Sequence, residues 1–362
     1  MPQPTAVDLA LFVIFLVVLI FPFKIHMVEK NLELFLFVMG ALAVTVTGMW
    51  TPDLVQLAAE EPLLKGIVPA VLIAGLLFHY GRGAFQRTVN TILRVVPITV
   101  VIFTMIVVLG LISSVITAII ASLFLVEMAN LMPLERKDRI NLVIVACFSI
   151  GLGAALTPLG EPLSTIAVVK LAGPPYNAGF WYLFNQLSLL IVPGVVACGL
   201  VGMFLVGKKG ASTGRLADAH QDDGGLRDVF TRTIKVYAFV AALFLLGAGM
   251  EVIINKYFIQ LPAELLYWLN MVSAILDNAT LTAAELSPSM SQAQITGALM
   301  GLLIAGGMLI PGNIPNIISA GKLGITSSEW ARLGVPMGLV FLTIYFVLVF
   351  IVGFRPTLGL IG

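Results

Sequence analysis

Charged residues are scarce in this sequence: Asp, Glu, Lys and Arg together make up only 11% of its 362 residues. An ordinary soluble domain is about 25% charged and roughly 45–50% apolar, whereas this chain is 59% hydrophobic. A soluble fold of this size could not remove so much apolar surface from water. The composition therefore excludes a soluble enzyme and a disordered protein, and it predicts an all-α polytopic membrane protein embedded in a lipid bilayer.

Cysteine and histidine are also rare. The two cysteines, Cys147 and Cys198, lie inside apolar runs, and no two of the three histidines have the spacing of metal ligands. A net charge of +1 provides no basic surface for nucleic acid. The sequence contains no P-loop, no H-E-x-x-H and no dinucleotide fingerprint. We therefore expect no ATP-driven pump, no enzymatic activity, no resident cofactor and no nucleic-acid partner.

Long apolar runs predict about nine transmembrane helices. They cover residues 6–23, 32–50, 66–80, 95–113, 140–172, 180–206, 233–255, 293–324 and 331–353. Two further apolar stretches, 114–133 and 262–287, carry polar residues in their middle and run at once into another span. Irregular backbone at membrane depth is tolerated where protein or a water-filled cavity covers it, so we predict that both stretches form re-entrant hairpins.

Two of the predicted spans are interrupted by proline and glycine. The run 140–172 contains GLGAALTPLGEPLST, and the run 293–324 contains GGMLIPGNIPN. Proline removes a backbone donor and clashes with the preceding turn, and glycine permits unusual backbone angles. We expect both helices to unwind within the membrane, where half-helix ends can bind an ion.

The order of hairpin and broken helix occurs twice, and a count of crossings predicts two inverted repeats. Residues 1–94 would be scaffold helices, and 207–229 would be a cytoplasmic linker. Repeat 1 would cover 95–206, with hairpin 114–133 and broken helix 140–172, and repeat 2 would cover 230–362, with hairpin 262–287 and broken helix 293–324. The bias of Lys and Arg in the loops predicts a cytoplasmic N-terminus and an external C-terminus.

Two acidic residues fall at predicted membrane depth, where an ionisable side chain costs roughly 2.5–3.5 kcal/mol or more. Glu161 lies in the first helix break, and Asp277 lies in the second hairpin. A desolvated carboxylate can bind either a proton or a cation, and this competition is a physical basis for exchange of the two. Alternatively, each carboxylate could simply cap the helix that follows it.

Neighbouring polar groups would complete an ion-binding site, with amides, hydroxyls and the backbone of the two breaks as ligands. The candidates are Thr157, Gly160, Ser164, Thr165, Asn278, Thr280, Gly312, Asn313, Asn316 and Ser122. The cation itself would be held by Glu161, Asp277, Asn278 and Asn313. Glu127 and Glu285 are secondary candidates, and they could instead face the wet mouth of each hairpin.

The segments GLGAALTPLGEPLSTIAVVKL at 151–171 and LDNATLTAAEL at 276–286 resemble a prokaryotic family of predicted cation transporters. The order of elements resembles the wider ion transporter superfamily. That group includes NhaD-type sodium/proton antiporters, arsenite permease-like proteins and divalent anion/sodium symporters. The resemblance implies a homodimer in a prokaryotic inner membrane and an elevator-like displacement of the hairpins and broken helices.

Two departures from the symporter pattern favour a cation as the transported species. The first hairpin tip has Ser122 but lacks the symporters' asparagine, and Glu161 replaces the threonine of their Gly-Thr-Pro turn. A dianion beside Glu161 and Asp277 would be repelled unless cations intervened. We therefore expect a secondary cation transporter, specifically a sodium/proton antiporter. The alternative is a sodium-coupled symporter of a small inorganic or organic anion.

Overall fold

The computed structural model describes residues 5–25, 27–28, 31–64, 68–69, 72–73, 76, 96–206, 226–257, 261–276, 278–286 and 288–354. Every regular element in these ranges is helical. Three of the helices are long and apolar enough to cross a membrane, namely Ile98–Ile116, Tyr182–Val206 and Ser327–Ile351, and several shorter apolar helices accompany them. The predicted class, a helical membrane-embedded protein, is confirmed, and the count of nine spans stays a prediction.

The first eight helices are α1 (Ala6–Lys24), α2 (Leu32–Thr47), α3 (Pro52–Leu64), α4 (Ile98–Ile116), α5 (Ala118–Leu131), α6 (Arg136–Ala154), α7 (Pro162–Lys170) and α8 (Tyr182–Val206). The remaining six are α9 (Leu226–Tyr257), α10 (Ala263–Leu269), α11 (Asn278–Glu285), α12 (Gln292–Gly306), α13 (Ile314–Leu323) and α14 (Ser327–Phe346). Two 3-10 segments, Asn270–Ala274 and Ile310–Gly312, and a terminal π-helical turn, Val347–Ile351, complete the described elements. Helix α3 lies in a stretch that the sequence analysis left between spans.

The first hairpin is larger than the sequence predicts. Its arms are the whole of α4 and α5, and a single residue, Thr117, joins them with a positive φ of 76°. The Thr117 hydroxyl accepts a hydrogen bond from the backbone N–H of Ile120, which caps α5. The expected hairpin, 114–133, therefore covers only the tip and the returning arm.

Helices α4 and α6 run in the same direction. The count of crossings behind the predicted repeats takes span 95–113 and span 140–172 as antiparallel. Ser149 Oγ donates to the Ile106 carbonyl at 2.9 Å, and Thr157 Oγ1, just beyond α6, donates to the Ser114 carbonyl at 2.5 Å. A Cβ atom on Gly153 would fall on the backbone carbonyl of Gly110. Small residues thus bring the two backbones into direct contact, as is common between membrane helices.

Both predicted interruptions are present. Helix α6 ends at Ala154 and α7 begins at Pro162, while α12 ends at Gly306 and α13 begins at Ile314. Each break places proline at or near the start of the second half-helix, where its missing N–H removes no helical hydrogen bond.

The two halves of the bundle run in opposite directions. Helix α13 is antiparallel to α6, because Gly151 packs against Asn313 while Arg136 donates to the Gly324 carbonyl at 2.9 Å. Helix α12 begins beside the start of α8, which is itself antiparallel to α6. We call the two ends of the bundle the Arg136 end and the Gln292 end. The opposite directions are those that an inverted repeat requires, and the repeat boundaries themselves stay a prediction.

The second hairpin repeats this arrangement with a shorter entering arm. Asn270 donates to the Ala298 carbonyl at 3.2 Å, and Ser273 donates to the Leu302 carbonyl at 3.2 Å. The α10 and 3-10 segment therefore runs parallel to α12, as α4 runs parallel to α6. Helix α11 is the returning arm.

Each returning arm packs on the other half of the chain. Helix α5 of the first hairpin contacts α13, and α11 of the second hairpin contacts α7. The second half-helix beyond each break is thus covered by the hairpin of the opposite half. This exchange brings both breaks and both hairpins into one core.

The start of α1 and the end of α14 lie at the same end of the bundle, and the predicted sides of the two termini stay a prediction. Lys256, near the end of α9, forms a 2.5 Å ion pair with Asp8 in the first turn of α1. Residues 258–262 alone join α9 to α10, whose first residue lies at the Gln292 end. Helix α14 begins at the Arg136 end, where Glu329 pairs with Arg136 at 3.0 Å, and it ends at the other.

The close contact between α4 and α6 predicts a specific sensitivity to side-chain size. Gly153→Ala should destabilise the protein by about 1–3 kcal/mol, because its methyl group would overlap the Gly110 carbonyl. Thermal unfolding in detergent measures the effect. Gly321→Ala in α13 is the control, since its Cβ would meet no atom within 4 Å. Equal melting temperatures for the two variants would contradict the packing described.

Candidate functional site

The first break holds a buried carboxylate at the start of a helix. Glu161 is 6% exposed, and its backbone carbonyl accepts hydrogen bonds from the N–H groups of Ser164 and Thr165. These are the first bonds of α7, so Glu161 occupies the N-cap position of that helix. The positive end of the helix dipole favours a negative charge there. The capping interpretation and the ion-binding interpretation thus apply to the same residue, the first through its backbone and the second through its side chain.

The other polar groups of this break attach it to the hairpin tip. The Gly160 carbonyl accepts a hydrogen bond from the Ala118 N–H at 2.9 Å, and Thr157 Oγ1 donates to the Ser114 carbonyl. A Cβ atom on Gly160 would collide with the Ala154 carbonyl. Gly160 and Thr157 therefore hold the break against α4 and α5, a structural role that the sequence did not predict.

Ser164 and Thr165 bond back to the unwound segment. Ser164 is buried and donates to the Ala154 carbonyl at 3.4 Å, while Thr165 is exposed and donates to the Pro158 carbonyl at 2.6 Å. Both hydroxyls thus satisfy backbone carbonyls that the interrupted helix leaves without a helical donor.

The second break is braced by one asparagine. Asn316 is fully buried, and its Nδ2 donates to the Gly306 carbonyl at 2.8 Å and to the Leu309 carbonyl at 2.9 Å. Its Oδ1 is buried and accepts no hydrogen bond from the described residues. A side-chain oxygen in this state is suited to a cation or a water molecule.

Asn313 and Gly312 lie at the point of closest approach in this break. Asn313 is the N-cap residue of α13 without a side-chain capping bond, and its Nδ2 lies next to Gly151 of α6. A Cβ atom on Gly312 would meet the carbonyls of Gly306 and Ser273. Glycine is needed here because three backbone segments converge, and Asn313 brings the second break to α6 of the first half.

Asn278 connects the second hairpin to the same region. It is the first residue of α11 and is 3% exposed, and its Nδ2 lies 3.6 Å from the Cβ position of Gly306. This Nδ2 is buried and has no acceptor among the described residues. Asp277 lies outside the described residues, and so does the side chain of Thr280 within α11.

The structure therefore gathers the predicted residues into two clusters. Around the first break lie Thr157, Gly160, Glu161, Ser164 and Thr165, and around the second lie Asn278, Gly312, Asn313 and Asn316. The contact between Gly151 and Asn313, together with the packing of α7 on α11, joins the two clusters.

Three predicted residues lie apart from the breaks. Ser122 donates to the Ile119 carbonyl within α5. Glu127 forms a 3.2 Å ion pair with Lys322 of α13. Glu285 is 4% exposed at the end of α11 and accepts a hydrogen bond from Asn270.

The sequence did not predict several groups that contact or hydrogen-bond to the residues of the site. The Ser114 carbonyl, the Ala118 N–H and the Ser273 carbonyl are backbone groups, for which the sequence carries no direct signal. Asn270 did offer a signal, since it is an isolated amide within the apolar run AELLYWLNMVSAIL. A buried amide in such a run needs partners, and those partners are Glu285 and Ala298.

The helical bundle, its two hairpins and its two interrupted helices define a helical membrane protein with a polar centre. The chain belongs to the DUF1646 family, described as "Protein of unknown function", whose family model matches residues 8–352. No curated protein matches the chain.

The bracing role of Asn316 predicts the effect of removing its amide. Asn316→Ala leaves the Gly306 and Leu309 carbonyls buried without their donor, so we expect a loss of about 1–3 kcal/mol in unfolding free energy. Chemical unfolding in detergent measures this loss. Ser319→Ala, on the same helix, is the matched control, because Ser319 contributes only a weak bond from the Cys147 thiol. An Asn316→Ala variant no less stable than the control would rule out the bracing role.

Proposed function

We propose that the protein is a secondary active cation transporter, specifically a sodium/proton antiporter that works by alternating access. The observation that carries the proposal is the buried carboxylate of Glu161 at the first helix break. This group lies at the start of a half-helix whose neighbour, α11, begins at Asn278. A functional role for an acidic side chain at this depth is the default physical interpretation.

Competition between a proton and a cation supplies the exchange. A desolvated carboxylate is stabilised either by binding a proton or by binding a positive ion, and one group cannot hold both. In the proposed site, sodium is bound by Glu161, Asp277 and the amide oxygens of Asn278, Asn313 and Asn316. The buried Oδ1 of Asn316 supports this assignment.

The opposite directions of the two halves support alternating access. In inverted-repeat transporters, substrate binds where broken helices meet, and the repeats exchange their environments during the cycle. Here the half-helix after each break is covered by a hairpin arm of the other half, since α5 packs on α13 and α11 packs on α7. The hairpins are therefore the elements whose displacement would open the centre toward one side or the other.

Sodium-coupled symport of a small anion is the second candidate function. It is favoured by Asn278, whose Nδ2 is a buried donor without an acceptor among the described residues at the start of α11. Helix N-termini and amide donors are the groups that bind anions. In this alternative, sodium at Glu161 would offset the repulsion between the carboxylate and the anion.

The orientation that we propose follows from the basic residues. The Arg136 end carries more of them than the Gln292 end, so it is assigned to the cytoplasm of a prokaryotic inner membrane. The described basic side chains of the Arg136 end include Arg136, Lys137, Arg139, Lys235, Lys322 and Arg332, against Lys170 and Lys256 at the other end. The proposal includes the homodimer that the resemblance implies. It includes no ATP-driven step and no resident cofactor.

Transport in proteoliposomes tests the function. A sodium gradient should drive proton movement in the opposite direction, detected by an internal pH dye. Glu161→Gln and Asp277→Asn should each weaken apparent sodium affinity about tenfold or more, which corresponds to about 1.4 kcal/mol. The control is Glu264→Gln, because Glu264 is exposed in the first turn of α10.

Two results would overturn the assignment. If both carboxylate variants keep wild-type exchange, these residues do not bind the transported ion. If sodium drives uptake of a labelled small anion without moving protons, the symporter alternative replaces the antiporter.

Orientation is tested with a membrane-impermeant maleimide on intact cells. Gly173→Cys, in the exposed loop after α7, should react from outside, and Lys137→Cys should react only after the membrane is opened. The native cysteines are buried and give a low background. The reverse labelling pattern would invert the proposed orientation.

A further inference from the structure

A second buried carboxylate lies away from the breaks, between α11 and the entering arm of its hairpin. Glu285 is 4% exposed, and its Oε2 accepts a hydrogen bond from Asn270 Nδ2 at 3.0 Å. Asn270 is fully buried and also donates to the Ala298 carbonyl. Two acceptor atoms of this cluster, Glu285 Oε1 and Asn270 Oδ1, are buried and receive no hydrogen bond from the described residues.

This arrangement is short of positive charge. One neutral amide donor does not offset the loss of hydration of an ionised carboxylate. Glu285 is also the last residue of α11, where the helix dipole is negative and an acidic side chain is disfavoured. A proton or a bound cation would remove both costs.

The first hairpin shows how the corresponding acid is neutralised there. Glu127 lies on the returning arm α5, and Lys322 from the packed half-helix α13 pairs with it at 3.2 Å. The corresponding half-helix for α11 is α7, whose terminal Lys170 is exposed. Among the described residues, no ion pair joins Lys170 to Glu285. One hairpin thus has a permanent cation beside its acid, whereas the other has an amide.

In the part of the chain that the structure describes, the other charged groups near α11 do not supply the missing charge. Helix α12 carries no Asp, Glu, Lys or Arg in its sequence. On α9, Glu251 is acidic and Lys256 pairs with Asp8. On α10, Glu264 is exposed, and the Tyr267 hydroxyl donates to the Leu342 carbonyl. Glu161 precedes α7 and Asp277 precedes α11, and both would add negative charge.

We propose that Glu285 and Asn270 form a second cation-binding position, at which a proton and one small monovalent cation compete. The carboxylate provides the charge, and Asn270 Oδ1 provides a neutral oxygen ligand. The position is separate from the site at the breaks, and its coupling to transport rests on the proposed antiporter function. Neutralising Glu285 stabilises the contact between the two arms of the second hairpin.

Infrared spectroscopy of the full-length protein tests the proposal directly. A protonated carboxylic acid gives a carbonyl band that a carboxylate lacks. We expect a band in wild-type protein that disappears in Glu285→Gln and persists in Glu127→Gln, the matched control from the first hairpin. Asn270→Ala keeps the carboxyl group but removes its amide donor, so it should shift the same band. The assignment therefore does not depend on a single variant.

Titration with salt separates the two ions. Loss of the band on adding sodium chloride but not choline chloride shows that sodium displaces the proton. If the band persists in both salts, Glu285 binds a proton, and the proposed competition with a monovalent cation is wrong. The proposal would be overturned if wild-type protein and Glu285→Gln gave the same spectra, with no carbonyl band and no sodium-dependent change that the substitution removes.

The transport assay distinguishes this failure from failure of the proposed function. If Glu285 shows no protonation or sodium response while Glu161→Gln still weakens the sodium affinity of exchange, only the second position is wrong. If Glu285 responds as expected but wild-type protein exchanges no sodium for protons, the position stands and the antiporter assignment falls.

Discussion

The rest of the structure depends on satisfying backbone groups where two helices are interrupted inside an apolar core. A membrane provides no water for these groups, so each break needs partners from the protein itself. The first break obtains them from the Ala118 N–H of the hairpin tip and from the hydroxyls of Ser164 and Thr165. The second obtains them from the Asn316 side chain. Both breaks are therefore stabilised by specific polar contacts, and this leaves a defined centre in which a buried carboxylate can lie.

The two halves use different chemical groups to bond to the interrupted helix and to the acid of the returning arm. In the first, backbone and hydroxyl groups join the break to the tip, and a lysine neutralises the acid of the returning arm. In the second, Asn316 braces the break, and Asn270 donates a hydrogen bond to the acid of the returning arm. An amide side chain can donate and accept hydrogen bonds at once, so one asparagine can satisfy both backbone carbonyls and a carboxylate. The two halves thus share an order of elements but differ in the side chains that bond to their polar groups.

The sequence was sufficient for the class of protein and for the position of both breaks. Proline and glycine at 158–162 and 311–315 determine backbone geometry locally, so their effect did not depend on tertiary contacts. The tip at Thr117 was not predictable, because α4 contains no proline or charged residue that would mark its end, and one residue with a positive φ reverses the chain. The reversal at Thr117 makes α4 parallel to α6. The ion pair between Asp8 and Lys256 joins α1 to α9, two helices that lie far apart in the sequence. Partners such as Ser114 and Gly306 act through their carbonyls, so residue type carried no information about them.

The exchange of hairpin arms has a consequence for assembly. Because α5 covers α13 and α11 covers α7, each of these half-helices is covered by protein only when the opposite half of the chain is in place. Neither half therefore completes its packing alone, and the two interrupted helices form as one unit.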